Sequence, residues 1–95
     1  MTTKNLLIAY KAPGQTFSEA QAQVLIAIAT HETVHKIPAP IMCVAKLLKE
    51  KEKKVQARVL YLKSRGLVTA KVQRDVVFCS MTDKGREVFR QLELV

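Results

Sequence analysis

Val55-Gln56-Ala57-Arg58-Val59-Leu60-Tyr61-Leu62-Lys63-Ser64-Arg65-Gly66-Leu67-Val68 is the stretch in which the hydrophobic period changes, and the fold turns on it. Val55, Val59 and Leu62 recur at helical spacing, and Gly66 is a stop signal, because glycine takes the left-handed conformation that closes helices. Beyond it Leu67-Val68-Thr69-Ala70-Lys71-Val72 and Val76-Val77-Phe78-Cys79-Ser80-Met81 are rich in strand formers. Gln73-Arg74-Asp75 between them is short enough for a tight hairpin. A helix of about three turns therefore feeds a two-stranded ribbon.

Upstream, Lys49-Glu50-Lys51-Glu52-Lys53-Lys54 is a charged break without an apolar anchor. Before it, Ile41, Val44, Ala45 and Leu48 mark one face of a second helix. Pro38-Ala39-Pro40 is a stiff entry, with Pro40 expected in the first helical turn, where its missing N–H costs little. Ser18-Glu19-Ala20-Gln21 fits a capping box, and Val24, Leu25 and Ile28 continue it as a first helix. That helix is expected to fade near Thr30 to Glu32, ahead of β-branched Thr33 and Val34. Downstream, Thr82-Asp83 caps a last helix running through Val88, Phe89 and Leu92. Residues 1–17 form a lead-in, with a short strand or helical turn at Leu6 to Tyr10 that Pro13-Gly14 breaks, and residues 18–95 form the domain. The expected fold class is α+β and mainly helical: a three-helix core, a two-stranded hairpin and a C-terminal helix.

The order is that of a winged helix-turn-helix. Val44-Ala45-Lys46-Leu47-Leu48, six further residues, Val55, Leu62 and Gly66-Leu67-Val68 resemble the helix-turn-helix pattern of that superfamily. Arg58-Val59-x-x-Leu62-x-x-x-Gly66-Leu67-Val68 is similar to an ending common among its regulators. Met81-Thr82-Asp83-Lys84-Gly85 resembles the segment after the wing in the MarR-like branch. The three occur in order, and the match as a whole covers residues 18–92. The resemblance implies a transcriptional regulator that places its third helix in the major groove of double-stranded DNA, with the hairpin on the backbone or in the minor groove. It also implies a homodimer paired through terminal segments. Phe89, Leu92, Leu94 and Val95 offer more apolar surface than one short helix needs to dock, and the N-terminal run adds to it.

Charge points the same way. Sixteen Lys and Arg oppose eight Asp and Glu, a net charge of +8. Between Lys46 and Arg74 ten basic residues face only Glu50 and Glu52, so this segment carries a surplus equal to that of the whole chain. Such confinement implies attraction to a polyanion rather than general solubility. An anionic membrane fits less well, because the basic segment lacks the Trp, Phe and Leu face of an interfacial helix. Leu6-Leu7-Ile8-Ala9 and Val24 to Ala29 are too short for a signal core or a span, so a soluble, intracellular (cytoplasmic) protein is expected. Cys43 and Cys79 both lie in apolar contexts and are expected to be buried, reduced thiols.

With Val55, Val59 and Leu62 facing inward, the outer face of the third helix carries Lys53, Lys54, Ala57, Leu60, Tyr61 and Ser64, with Gln56 and Lys63 on one flank and Arg58 and Arg65 on the other. The candidate DNA-binding set is Lys51, Lys53, Lys54, Gln56, Ala57, Arg58 and Tyr61, joined by Lys71 and Arg74 of the hairpin. The cations would neutralise phosphates, and Gln56 has the amide that pairs with adenine N6 and N7. Arg74 at the tip would enter a minor groove, with Lys71 on the adjoining phosphate. Two departures stand out. Lys49 and Glu50 occupy the turn where a small residue and an apolar anchor are usual, and Lys51 replaces the usual Ser or Thr cap. Leu60 and Tyr61 would contact thymine methyls or sugars, or would mark a protein interface; the sequence leaves both open. A winged-helix docking module without DNA readout is the alternative function.

His31-Glu32-Thr33-Val34-His35 matches H-E-x-x-H, in which two imidazoles on one helical face hold zinc. Here the match is expected to be incidental, in a loop after the first helix, with no third ligand soon after it. The three glycines are scattered, and no Ser/His/Asp grouping stands out. The reading is therefore of a protein that is not an enzyme, with no cofactor, no metal and no evident small-molecule pocket.

Overall fold

The computed structural model of the chain describes residues 8–94. A 17-residue helix α1 (Glu19–His35) lies at the centre, in contact with α2 (Ile41–Leu48), α3 (Glu52–Ser64) and α4 (Asp83–Arg90). A hairpin β1 (Tyr10–Ala12) and β2 (Gln15–Phe17) precedes α1, and β3 (Ala39–Pro40) precedes α2. The long hairpin β4 (Val68–Gln73) and β5 (Val76–Met81) follows α3, and β6 (Glu93–Leu94) follows α4. All contacts of β3, β4 and β5 are antiparallel, in the order β3-β5-β4, and a second antiparallel sheet has the order β2-β1-β6.

The start of α1 is as the sequence predicts. Ser18 Oγ accepts from the Gln21 N–H at 3.2 Å, and Gln21 Oε1 accepts from the Ser18 N–H at 3.0 Å. Its end is not. The helix continues through Thr33 and Val34 to His35, past the predicted fade at Thr30 to Glu32. Thr33 Oγ1 donates back to the Ala29 carbonyl at 2.9 Å, a bond available to threonine inside a helix, and the Lys36 N–H closes on the Glu32 carbonyl at 2.8 Å. Pro38 then prevents continuation.

Pro40 is also displaced from its predicted place. It is the N-cap of α2, with φ −63° and ψ 138°, not a residue of the first turn. Ala39 and Pro40 pair with Cys79 and Phe78, so the wing is a three-stranded sheet where the sequence predicts two strands. An edge position suits proline because it has no N–H to offer a further strand. The hairpin loop is Arg74–Asp75, both at positive φ (50° and 65°), which is the backbone of a type I′ turn.

Among the described residues the buried core is mainly aliphatic, with Phe17 its one aromatic side chain. Leu25 and Ile28 of α1, Val44 of α2, Val55, Val59 and Leu62 of α3, and Leu67, Val68 and Cys79 of the wing base are all buried. Cys43, expected inside, is exposed, because Ile41, Val44 and Ala45 take the inward face of α2. Burial pushes the Cys79 thiol from 9.0 up to about 11. A thiol reagent at pH 8 should therefore label Cys43 alone in the native protein and both thiols after unfolding; rapid labelling of two thiols in the native state would contradict the packing. Cys79 also sets a sign for alkaline stability. Its neutral form is favoured by folding, so its contribution is complete below pH 9 and is lost as pH rises towards 11.

The residue in the turn that looked wrong in sequence has a conformational reason. Lys49 caps α2 in the left-handed region (φ 56°, ψ 42°), where a small residue, above all glycine, is least strained. Lys49→Gly should thus stabilise the protein by about 0.5–1 kcal/mol in urea titration, against the usual sign for a glycine substitution. A loss of stability would mean that the lysine side chain, not the turn backbone, matters there.

Candidate nucleic-acid interface

Helix α3 is anchored by Val55, Val59 and Leu62, all buried. Its first turn has Lys51 as N-cap with no side-chain hydrogen bond, as the departure in sequence implies. The free N–H groups of that turn keep a partial positive charge, to which exposed Lys51, Lys53 and Lys54 add. Gln56 and Ala57 are exposed one turn further on, and Leu60 beyond them is 62% exposed.

Not every predicted residue is equally free. Arg58 is half-buried on the flank, its guanidinium 4.0 Å from the Glu50 carboxylate. Glu50, unexpected in the turn, thus pairs with α3, although such an outer pair contributes little energy. Tyr61 is half-buried and packs against the core. Its hydroxyl lies 3.5 Å from the Thr16 carbonyl of β2, and the Arg65 guanidinium sits 5.1 Å from its ring centre. Tyr61 therefore joins α3 to the first hairpin, a contact across 45 residues that helical spacing alone does not reveal.

The wing leaves α3 through a tightly bonded turn. The Leu67 N–H donates to the Leu62 carbonyl at 3.0 Å, with Gly66 at φ +75°. Thr82, at the far end of β5, returns to the same turn. Its N–H donates to the Leu67 carbonyl at 3.1 Å, and its hydroxyl donates to the Gly66 carbonyl at 2.7 Å. The same Thr82 oxygen accepts from the Gly85 N–H at 2.9 Å, capping α4 as predicted. Six residues per strand carry the tip about 20 Å along the hairpin. Arg74 is at the tip and Lys71 on β4, both exposed. The base of the wing is thereby tied to the end of α3 through the hydrogen-bonded Gly66–Leu67 turn.

The H-E-x-x-H match is on a helix, not in the predicted loop, because α1 runs to His35. The rings of His31 and His35 have centroids 4.5 Å apart. Glu32 is engaged elsewhere: Oε1 accepts from the Met81 N–H at 3.2 Å and lies 3.9 Å from Arg86. Among the described residues no three His, Cys, Asp or Glu side chains are grouped to hold a metal, and no helix is long and apolar enough to cross a membrane.

One site has no counterpart in the sequence reading, which saw no pocket. A cleft of about 450 Å³ lies between α1 and α4, lined by Glu32, Lys36, Met81, Arg86, Phe89 and Arg90 among others. Its cations come from positions 36, 86 and 90, outside the basic segment that dominates the linear sequence. Only the packing of α4 on α1 brings them together. Of the terminal residues assigned to dimerisation, Phe89 and Leu92 pack against the core, whereas Leu94 is 72% exposed. Leu6, Leu7 and Val95 lie outside the described residues.

No family model and no curated protein matches the chain. Solved structures do. A MarR-family transcriptional regulator from Rhodococcus sp. RHA1 superposes with a TM-score of 0.70 at 19% identity, over 78% of this chain and 51% of that one. Bordetella bronchiseptica BpsR, whose DNA binding is regulated by 6-hydroxynicotinic acid, gives a TM-score of 0.69 at 23% identity, over 83% and 54%. A protein from Archaeoglobus fulgidus gives 0.71 at 19% identity, over 79% and 81%. The fold is the winged helix of MarR-family regulators, and the chain spans about half the length of the Rhodococcus and Bordetella proteins.

Proposed function

We propose that the chain binds double-stranded DNA as a transcriptional regulator, with α3 in the major groove and the β4–β5 wing on the adjoining backbone or minor groove. The observation that carries this reading is the placement of the charge surplus. Lys51, Lys53 and Lys54 at the start of α3, and Lys71 and Arg74 of the wing, are all exposed. They belong to α3 and to the hairpin that follows it through the Gly66 turn. Lysine and arginine there neutralise phosphates, and Gln56 and Ala57 between them reach base edges. Arg58 contributes from the flank once it exchanges Glu50 for a phosphate, and Tyr61 supports the helix from behind.

Fluorescence anisotropy with a mixed-sequence duplex across a salt series tests it. The expected result is binding whose logarithm falls linearly with log salt. Absence of binding even at low salt would sink the reading and favour a protein-docking module, for which exposed Val34 and Leu47 on α1 and α2 are the supporting observation. Pairing of two copies through the terminal strands is part of the proposal. Leu94 on the edge strand β6 and Ile8 beside β1 expose apolar surface at the same sheet. Two recognition helices so paired would read half-sites about one helical turn apart.

A further inference from the structure

We infer that α3 reads thymine, through an apolar stripe formed by Ala57 and Leu60, and this inference rests on the DNA-binding reading above. Helical geometry puts Lys53, Ala57, Leu60 and Ser64 along the outermost line of α3, opposite buried Val55, Val59 and Leu62. Two of those four side chains are apolar. Leu60 is the only large hydrophobic residue that α3 exposes.

On a helix face that meets a partner, an exposed leucine has two ordinary contacts, a protein surface or an apolar feature of DNA. A helix that docks into a protein groove shows anchors at i, i+3 or i+4, and i+7. Around Leu60 those positions hold Lys53, Gln56, Ala57, Lys63 and Ser64. One leucine and one alanine cover far less than the roughly 800 Å² per partner of a stable protein interface. The flanking cations would also be desolvated in one. The major groove offers a single apolar feature, the C5-methyl of thymine, and it lies between phosphates that suit Lys53, Lys54 and Lys63. The dimensions agree. Ala57 and Leu60 are separated by about 4.5 Å along the helix axis, close to the base-pair step of about 3.4 Å. They therefore face neighbouring base pairs, each with a thymine on one strand or the other, and Gln56 beside them has the amide for a partner adenine.

The test has two stages, both with the full chain. Sites are first selected from a random duplex library, and the selected duplex is then resynthesised with deoxyuridine replacing single thymines, which removes only the methyl group. Wild type should lose about fourfold in affinity at one or two adjacent positions, the worth of a buried methyl group. Leu60→Ala should bind the parent duplex more weakly and lose its sensitivity at one of those positions. Leu60 is exposed, so the variant should melt like wild type, and Leu60→Gln provides a second check of the same kind. A selected site without thymine at neighbouring positions, or deoxyuridine duplexes bound as tightly as the parent, would overturn the inference while leaving DNA binding intact. Failure to select or bind any duplex would overturn both readings together.

Discussion

Gly85→Ala should destabilise the protein by about 3 kcal/mol or more, even though alanine is the better helix former by about 1 kcal/mol. A Cβ built at Gly85 would lie 1.9 Å from the Leu67 carbonyl oxygen and 2.9 Å from its carbon. Those are backbone atoms held in place from both sides. The Leu67 N–H is bonded to Leu62, and its carbonyl accepts from Thr82. Neither partner can retreat without opening the junction between α3, the wing and α4. For a domain of this size the melting temperature should fall by roughly 15 °C or more. Because the junction sets the wing relative to α3, any folded fraction should also bind DNA poorly. An unchanged or higher melting temperature would show that α4 does not approach the Leu67 turn as described.

The second large effect concerns charge without stability. The triple variant Lys53→Ala/Lys54→Ala/Arg74→Ala removes three exposed cations that make no ion pair among the described residues, so its melting temperature should stay near that of wild type. If each neutralises one phosphate, the slope of log affinity against log salt should become shallower by about 2.7, at about 0.9 per phosphate. At 50 mM salt this corresponds to a loss of about a hundredfold or more. A Lys36→Ala/Arg90→Ala control takes charge from the α1–α4 cleft and should leave the slope close to wild type. Equal slopes for wild type and the triple variant would remove α3 and the wing tip from the phosphate contacts. Equal losses in the triple variant and the control would mean that net charge, not a local site, drives binding.

The order of helices, the wing and the buried faces of α2 and α3 were legible in the sequence, and the reason is local. Val55, Val59 and Leu62 define an inward stripe whatever they pack against, because helical geometry places residues three and four apart on one face. Ser18 with Gln21, and Thr82 before α4, cap their helices through hydrogen bonds within three residues. That Lys51, Lys53, Lys54, Lys71 and Arg74 are exposed was legible as well, since long charged side chains are rarely buried without a partner.

What tertiary structure alone decided are contacts between residues distant in sequence. Propensity stops α1 near Thr30, yet packing against β5 and the Glu32–Met81 bond hold it as far as His35. Ala39 and Pro40 become a strand because β5, forty residues later, has an edge to pair with. Tyr61 reads as an outward residue by its angle on the helix, but the β1–β2 hairpin reaches over and takes its hydroxyl. Glycine at position 85 is a poor helix residue in sequence and an indispensable one in space. Only the carbonyl of Leu67, eighteen residues away and 1.9 Å from an added carbon, gives the reason.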